Sequence, residues 1–141
     1  MRKNIQRYLA LLLLLFFSLG WVACGNINDV AGKDWRTSGM VVGRGTITHT
    51  EEGSIGVLVT IDKNSAAFYR NRPEKILFDS VAFPMQIDDA KEAFQSISFD
   101  DMNGDGESDV CIYFVHKSGE RTRLVWFWDP KERYVFQAEL S

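Results

Sequence analysis

Val110-Cys111-Ile112-Tyr113-Phe114-Val115-His116, then Lys117-Ser118-Gly119-Glu120, then Arg123-Leu124-Val125-Trp126-Phe127-Trp128, then Asp129-Pro130-Lys131-Glu132, then Arg133-Tyr134-Val135-Phe136-Gln137-Ala138: three aromatic or β-branched runs separated by two turn signals. Such residues suit a pleated, half-buried surface. Connections this short join only antiparallel neighbours, because parallel strands need a long crossover. The stretch therefore predicts an antiparallel meander. In its middle strand Leu124, Trp126 and Trp128 share one face, and Val125 and Phe127 the other. An aromatic ladder of this kind builds a core more often than a binding platform.

Upstream the pattern is similar but less regular. Met40 to Thr50 is rich in Val, Thr and Ile, Glu51-Glu52-Gly53-Ser54 is a turn signal, and Ile55 to Asp62 alternates apolar with smaller residues, so the pair reads as a hairpin. Lys63 to Pro73 is polar and broken around Ala67-Phe68-Tyr69, and reads as a connection. Ile76 to Phe83 is a further strand, stopped by Pro84. Asp88 to Phe94 has good helix formers with acids in its first turn, which fits one short helix. Ser96 to Phe99 reads as a short strand. The expected fold is mainly β: a small antiparallel sheet, a meander resembling a propeller blade, with one short helix, in a single domain over residues 39–141.

Between Phe99 and Val110 lies the most informative loop, Asp100-Asp101-Met102-Asn103-Gly104-Asp105-Gly106-Glu107-Ser108-Asp109. Residues 101–109 read D-x-N-x-D-G-x-x-D. Calcium takes six to eight hard oxygen ligands, and alternate residues of a tightly wound loop can turn carboxylate or amide oxygens to one centre. Asp101, Asn103, Asp105 and Asp109 would offer side-chain oxygens and Glu107 its backbone carbonyl, with Gly106 permitting the sharp turn. The loop is not an EF-hand, since Ile112 stands where the twelfth-position Glu would be and strands replace the flanking helices. The bland alternative is an Asn-Gly or Asp-Gly turn with solvated acids.

The other end of the chain points to export. Arg2, Lys3 and Arg7 precede an apolar run from Tyr8 to Phe17, and small residues follow up to Ala23. That is the three-part architecture of a signal peptide, and the apolar run is short for a span needing about 20 residues. Val22-Ala23-Cys24 resembles a lipobox, which would leave the mature protein anchored through acyl chains on Cys24; cleavage after Gly25 is the competing reading. Residues 24–38 read as a lipidated tether, with Trp35 the first residue expected to pack. Removing residues 1–23 leaves 13 Lys and Arg against 19 Asp and Glu, a net charge of −6. Such a domain is a poor partner for nucleic acid and a reasonable one for a cation. With Cys24 spent on lipid, Cys111 is alone and no internal disulfide is expected. Two histidines remain, His49 and His116, with no nucleophile and base in a recognisable arrangement, so no catalytic residue is assigned and no enzyme is expected.

The strand, acidic loop and apolar strand are similar to the repeat unit of FG-GAP and VCBS-type extracellular proteins. The order from Phe99 through the loop, the Trp126-Phe127-Trp128-Asp129 strand and Tyr134-Val135-Phe136 more closely resembles a bacterial envelope family related to periplasmic lysozyme inhibitors. The resemblance implies a calcium-stabilised envelope lipoprotein that blocks a lysozyme-like cell-wall hydrolase. Inhibitors of that kind engage their enzyme through a loop. The candidate contact segments are Lys117-Ser118-Gly119-Glu120-Arg121 and Ala67-Phe68-Tyr69-Arg70. The alternative is a structural or adhesive surface domain in which calcium only stabilises the fold.

Overall fold

A computed structural model describes residues 34–141. The expected signal peptide, Cys24 and most of the expected tether lie outside them. Among the described residues the fold is mainly β, with eight antiparallel strands in two four-stranded meanders. The first sheet holds β1 (Val41–His49), β2 (Gly53–Ile61), β3 (Ser65–Arg70) and β4 (Leu77–Ala82), in that order. A single helical turn, α1 (Ala90–Ala93), leads into the second sheet. That sheet orders β5 (Phe94–Ser98), β6 (Val110–Val115), β7 (Arg121–Asp129) and β8 (Arg133–Phe136).

Every pairing is between sequence neighbours, as short connections demand. Alternation then decides which side chains go inside. Val57, Val59 and Ile61 of β2 join Ile47, Phe68 and Val81 of the first sheet in one core with Val110, Ile112, Phe114, Leu124 and Trp126 of the second. Ile87, Ala90 and Ala93 close one side of that core around the helical turn. The ladder on β7 is split: Leu124 and Trp126 are buried in the core, whereas Trp128, at the strand's end, is partly exposed. Trp35 packs edge-on against Tyr69 and donates its indole N–H to the carbonyl of Arg72, at 3.2 Å.

The segment Ala67-Phe68-Tyr69-Arg70 is a correction to the sequence reading. It lies within β3, and Phe68 is wholly buried at the centre of the core, so it is no contact loop. Polar flanks disguised a short inner strand whose buried face is Ala66 and Phe68.

Gly45 has a specific role in docking the sheets. A Cβ there would come 2.4 Å from the Phe99 ring, so only glycine lets that ring lie on β1. Phe99 in turn meets Phe68 edge-on, with centroids 5.2 Å apart. This contact delivers the chain into the acidic loop beside β1.

Candidate functional site

Three features meet at one end of the molecule: the acidic loop before β6, the β1–β2 turn and the β7–β8 turn. The loop is wound by its own acids. Asp101 Oδ1 accepts the backbone N–H groups of Gly104 and Asp105 at 2.7 and 3.0 Å, and Oδ2 that of Gly106 at 2.9 Å. Those bonds, Gly106's first, hold its carboxyl below the usual carboxylate range. Asn103 Oδ1 accepts from the Asp105 N–H at 3.0 Å, and Asp105 Oδ1 from the Glu107 N–H at 2.8 Å. Asn103 Nδ2 donates to Asp105 Oδ2 at 2.9 Å. Gly104 and Gly106 take φ of 81° and 86°, where a side chain is strained, which is why small residues alternate with the acids.

The loop's far end is buried. Asp109 has no exposed surface; its Oδ2 accepts from the Met102 N–H at 2.8 Å and its Oδ1 from the Trp128 N–H at 2.9 Å. Burial pushes its carboxyl up against those two bonds, and repulsion from Asp105 adds to it. Ser108 exchanges hydrogen bonds with Thr48, both 2.9 Å long, and Glu107 Oε2 accepts from the Thr50 N–H at 2.9 Å. The loop is thus bonded to β1 on one side and β7 on the other.

The donor set suits calcium in kind. An ionised carboxylate offers about four lone-pair sites and an amide oxygen two. Asp101, Asn103, Asp105 and Asp109 therefore each keep at least one after their hydrogen bonds are counted. They are not gathered in advance: among the described residues no three His, Cys, Asp or Glu side chains form a ready metal cluster.

The other expected contact segment is elsewhere. Lys117, Ser118, Gly119 and Glu120 form an exposed tight turn closed by the His116 N–H to the Glu120 carbonyl at 2.8 Å, and Arg121 is the exposed first residue of β7. The turn sits at the far end of β6 from the acidic loop, about 20 Å away at the rise of an extended strand. The structure does not bring these residues together with the loop.

Sequence reasoning passed over a cavity of about 290 Å³ lined by His49, Glu52, Glu107, Trp128 and Arg133 among others. His49 is 2% exposed. Its imidazole stacks on the Trp128 indole, with centroids 3.7 Å apart and planes at 16°. Its Nε2 lies 3.4 Å from both the Ser108 carbonyl and the Tyr134 hydroxyl. Its Nδ1 is buried and has no hydrogen-bond partner, with Glu52 Oε2 3.7 Å away. The Arg133 guanidinium carbon lies 4.6 Å over the Trp128 ring, and Arg133 Nε donates to Asp79 Oδ2 at 2.8 Å. Arg133 also takes φ of 65°, unusual for a side-chain-bearing residue. One signal was available in the sequence: His49 follows Ile47 at the two-residue spacing of a strand, so it had to point inward.

His116 accounts for the second histidine. Its ring bridges Asp89 Oδ1 at 2.8 Å and Thr122 Oγ1 at 2.9 Å. The side chains line up as carboxylate, imidazole and hydroxyl. The bridge ties the start of α1 to the β6–β7 hairpin. Cys111 is buried and forms no disulfide among the described residues.

Comparison with family models, with curated proteins and with solved structures returns no match for this chain.

Proposed function

We propose that the chain is an exported envelope lipoprotein, anchored through Cys24, whose β domain is a calcium-stabilised binding module directed at a lysozyme-like cell-wall hydrolase. The observation that carries the calcium part is Asp109: a wholly buried carboxylate bonded to both strand and loop, with Asp105 repelling it and, among the described residues, no cationic side chain bonded to it. A divalent ion held by Asp101, Asn103, Asp105, Asp109 and the Glu107 carbonyl would offset that repulsion. The hydrolase part rests on the resemblance of residues 99–136, and the β6–β7 turn is the expected contact.

A thermal melt of the full chain in 10 mM calcium and in chelator tests the first part. Extracellular calcium modules bind at about 10⁻⁴ to 10⁻³ M. Linkage at the tighter end stabilises by about 2.7 kcal/mol, or roughly 10 °C for a domain of this size. The Asp105→Ala variant should lose the shift. If calcium leaves the wild-type melting point unchanged, the metal reading fails. An activity assay of muramidases with the protein at micromolar concentration tests the second part, and absence of any inhibition overturns it.

The ties from the loop to Thr48, Thr50 and Trp128 favour one other reading. In it the module is structural or adhesive, and calcium acts only on stability; calcium-dependent melting without inhibition of any hydrolase would select it.

A further inference from the structure

We propose that the outer face of the first sheet lies against the anionic surface of the membrane to which Cys24 tethers the chain. The inference rests on the reading of the protein as a lipid-anchored module, and goes beyond it in saying which face meets the lipid.

Strand register defines the face. Val57 and Val59 point into the core, so Leu58 between them points out. Arg44, Leu58, Tyr69 and Leu77 are successive partners across β1, β2, β3 and β4, and cross-strand partners share a face. Leu58 is buried in the middle of this row, whereas Leu77 at its edge is 55% exposed. Trp35 packs on Tyr69, and Lys75 Nζ lies over both rings, 6.0 Å from the Trp35 centroid and 5.1 Å from that of Tyr69. Ile76, 43% exposed, precedes Leu77. Met40, 47% exposed, lines a shallow hollow of about 150 Å³ with Thr60, Ala67 and Lys75, the next row of the same face. Large exposed apolar side chains and two aromatics with polar tips therefore gather here, the composition that suits a boundary between lipid and water.

Two observations name the occupant. The first is charge. Arg44, Arg72, Lys75 and Lys91 are exposed on or beside the face. Of the acids beside it, Asp34 is bonded to Arg36, Asp62 to the N–H groups of its own turn, and Glu74 stands in the β3–β4 connection. The face is thus locally basic on a mature chain whose net charge is −6, and a basic patch is drawn to anionic headgroups. The second is where the chain enters. Residues 24–33 join Cys24 to Asp34 and span at most about 36 Å when extended. Asp34 adjoins Trp35, which packs on this face, so the tether leaves from it and need not pass round the domain. Acyl chains plus a basic, apolar contact form the two-signal arrangement that stable anchoring takes. Docked this way, the chain keeps its second sheet and the β6–β7 turn away from the lipid.

The test uses the acylated protein, expressed from the full sequence and extracted from membranes, with its Ile, Leu, Val and Met methyl groups labelled for NMR. It is placed in phosphatidylcholine nanodiscs holding about one-third phosphatidylglycerol and a trace of gadolinium-chelate lipid. Chelator is present, so that no calcium bridges the acidic loop to the lipid. The Met40, Ile76 and Leu77 methyl groups should relax about threefold or more faster than those of Val115 and Leu140, which are similarly exposed elsewhere. Replacing phosphatidylglycerol by phosphatidylcholine should narrow the difference, and Leu77→Glu should abolish it without moving the melting point. Equal enhancement in the two groups, or a larger one at Val115, overturns the proposal. Loss of the Met40, Ile76 and Leu77 signals without lipid, together with concentration-dependent sedimentation, gives the face to a second copy and overturns it too. A difference unchanged in pure phosphatidylcholine overturns the role of the basic residues. Mass spectrometry separates the two readings: Cys24 without acyl chains sinks the anchor and this proposal together, whereas acylated Cys24 with equal enhancement sinks this proposal alone.

Discussion

Asp109 and Arg133 are single residues whose backbones and side chains pull in opposite directions. Asp109 bears a charge with no exposed surface, held by two backbone N–H groups. Asp109→Asn relieves the charge, but its amide has one acceptor for two donors, so the Met102 or Trp128 N–H is orphaned. The expected loss is about 1–3 kcal/mol, read by urea unfolding in chelator, with Asp109→Ala worse; a neutral result for Asn would mean the charge costs as much as the lost bond. Arg133 sits at φ 65°, closing the β7–β8 hairpin. Its ion pair with Asp79 is half exposed on the arginine side and is worth at most about 1 kcal/mol. Arg133→Gly should therefore be more stable than Arg133→Ala by about 1 kcal/mol, the reverse of the usual order in a strand. Comparing the two melting curves checks it. Of these features, the ligand character of Asp109 is legible in the spacing of acids, and its burial is not. Burial follows from the Trp128 N–H, contributed by a residue 19 positions away. His49 escaped for a similar reason: its partners come from Ser108, Trp128 and Tyr134.

The acidic loop, as an element, has opposite titration behaviour at its two ends. Asp101 is held below the usual carboxylate range by the Gly106, Gly104 and Asp105 N–H groups, so its folded value is depressed. Such a group stabilises above its unfolded value and loses that contribution as pH falls through the folded one. Asp109 has a raised folded value, so its contribution is present at low pH and lost as pH rises through that value. In chelator, the melting point should fall below about pH 4 as Asp101 protonates. Asp101→Asn should flatten that fall, and Asp109→Asn should steepen it by removing the opposing group. A scan from pH 5 to 2.5 decides; identical slopes in all three proteins would refute the assignment. Strands with long apolar runs were legible at this scale: β1, β2, β6 and β7 lie within a few residues of where β-branched and aromatic residues place them. β3 was not, because Ser65 to Arg70 holds four apolar residues between polar neighbours, too few for a period to emerge. Its strand character comes from β2 and β4 on either side.

For the molecule as a whole, local patterning foretells the antiparallel meander and leaves its partition open. Hairpin rules decide which strands neighbour each other, and all six pairings obey them. Nothing in those rules says that β4 and β5 part company to give two sheets. That division depends on where apolar faces find each other, through Phe68, Val81 and Phe83 on one side and Phe114 and Trp126 on the other. Neither sheet keeps a core without its partner, so the two should unfold as one cooperative unit. Phe68→Ala, wholly within the first sheet, should cost about 3–5 kcal/mol, a large part of a typical stability of 5–15 kcal/mol. The decisive measurement is the resolved indole NMR signal of Trp126, buried in the second sheet. It should melt at the same lowered temperature as the far-ultraviolet signal of the whole chain. Leu77→Ala, at an exposed position on β4, should move neither by more than about 0.5 kcal/mol. If Phe68→Ala lowers the far-ultraviolet transition and leaves the Trp126 transition in place, the sheets are separate folding units, and the cavity at their shared end would then be open to rearrangement independently of either core.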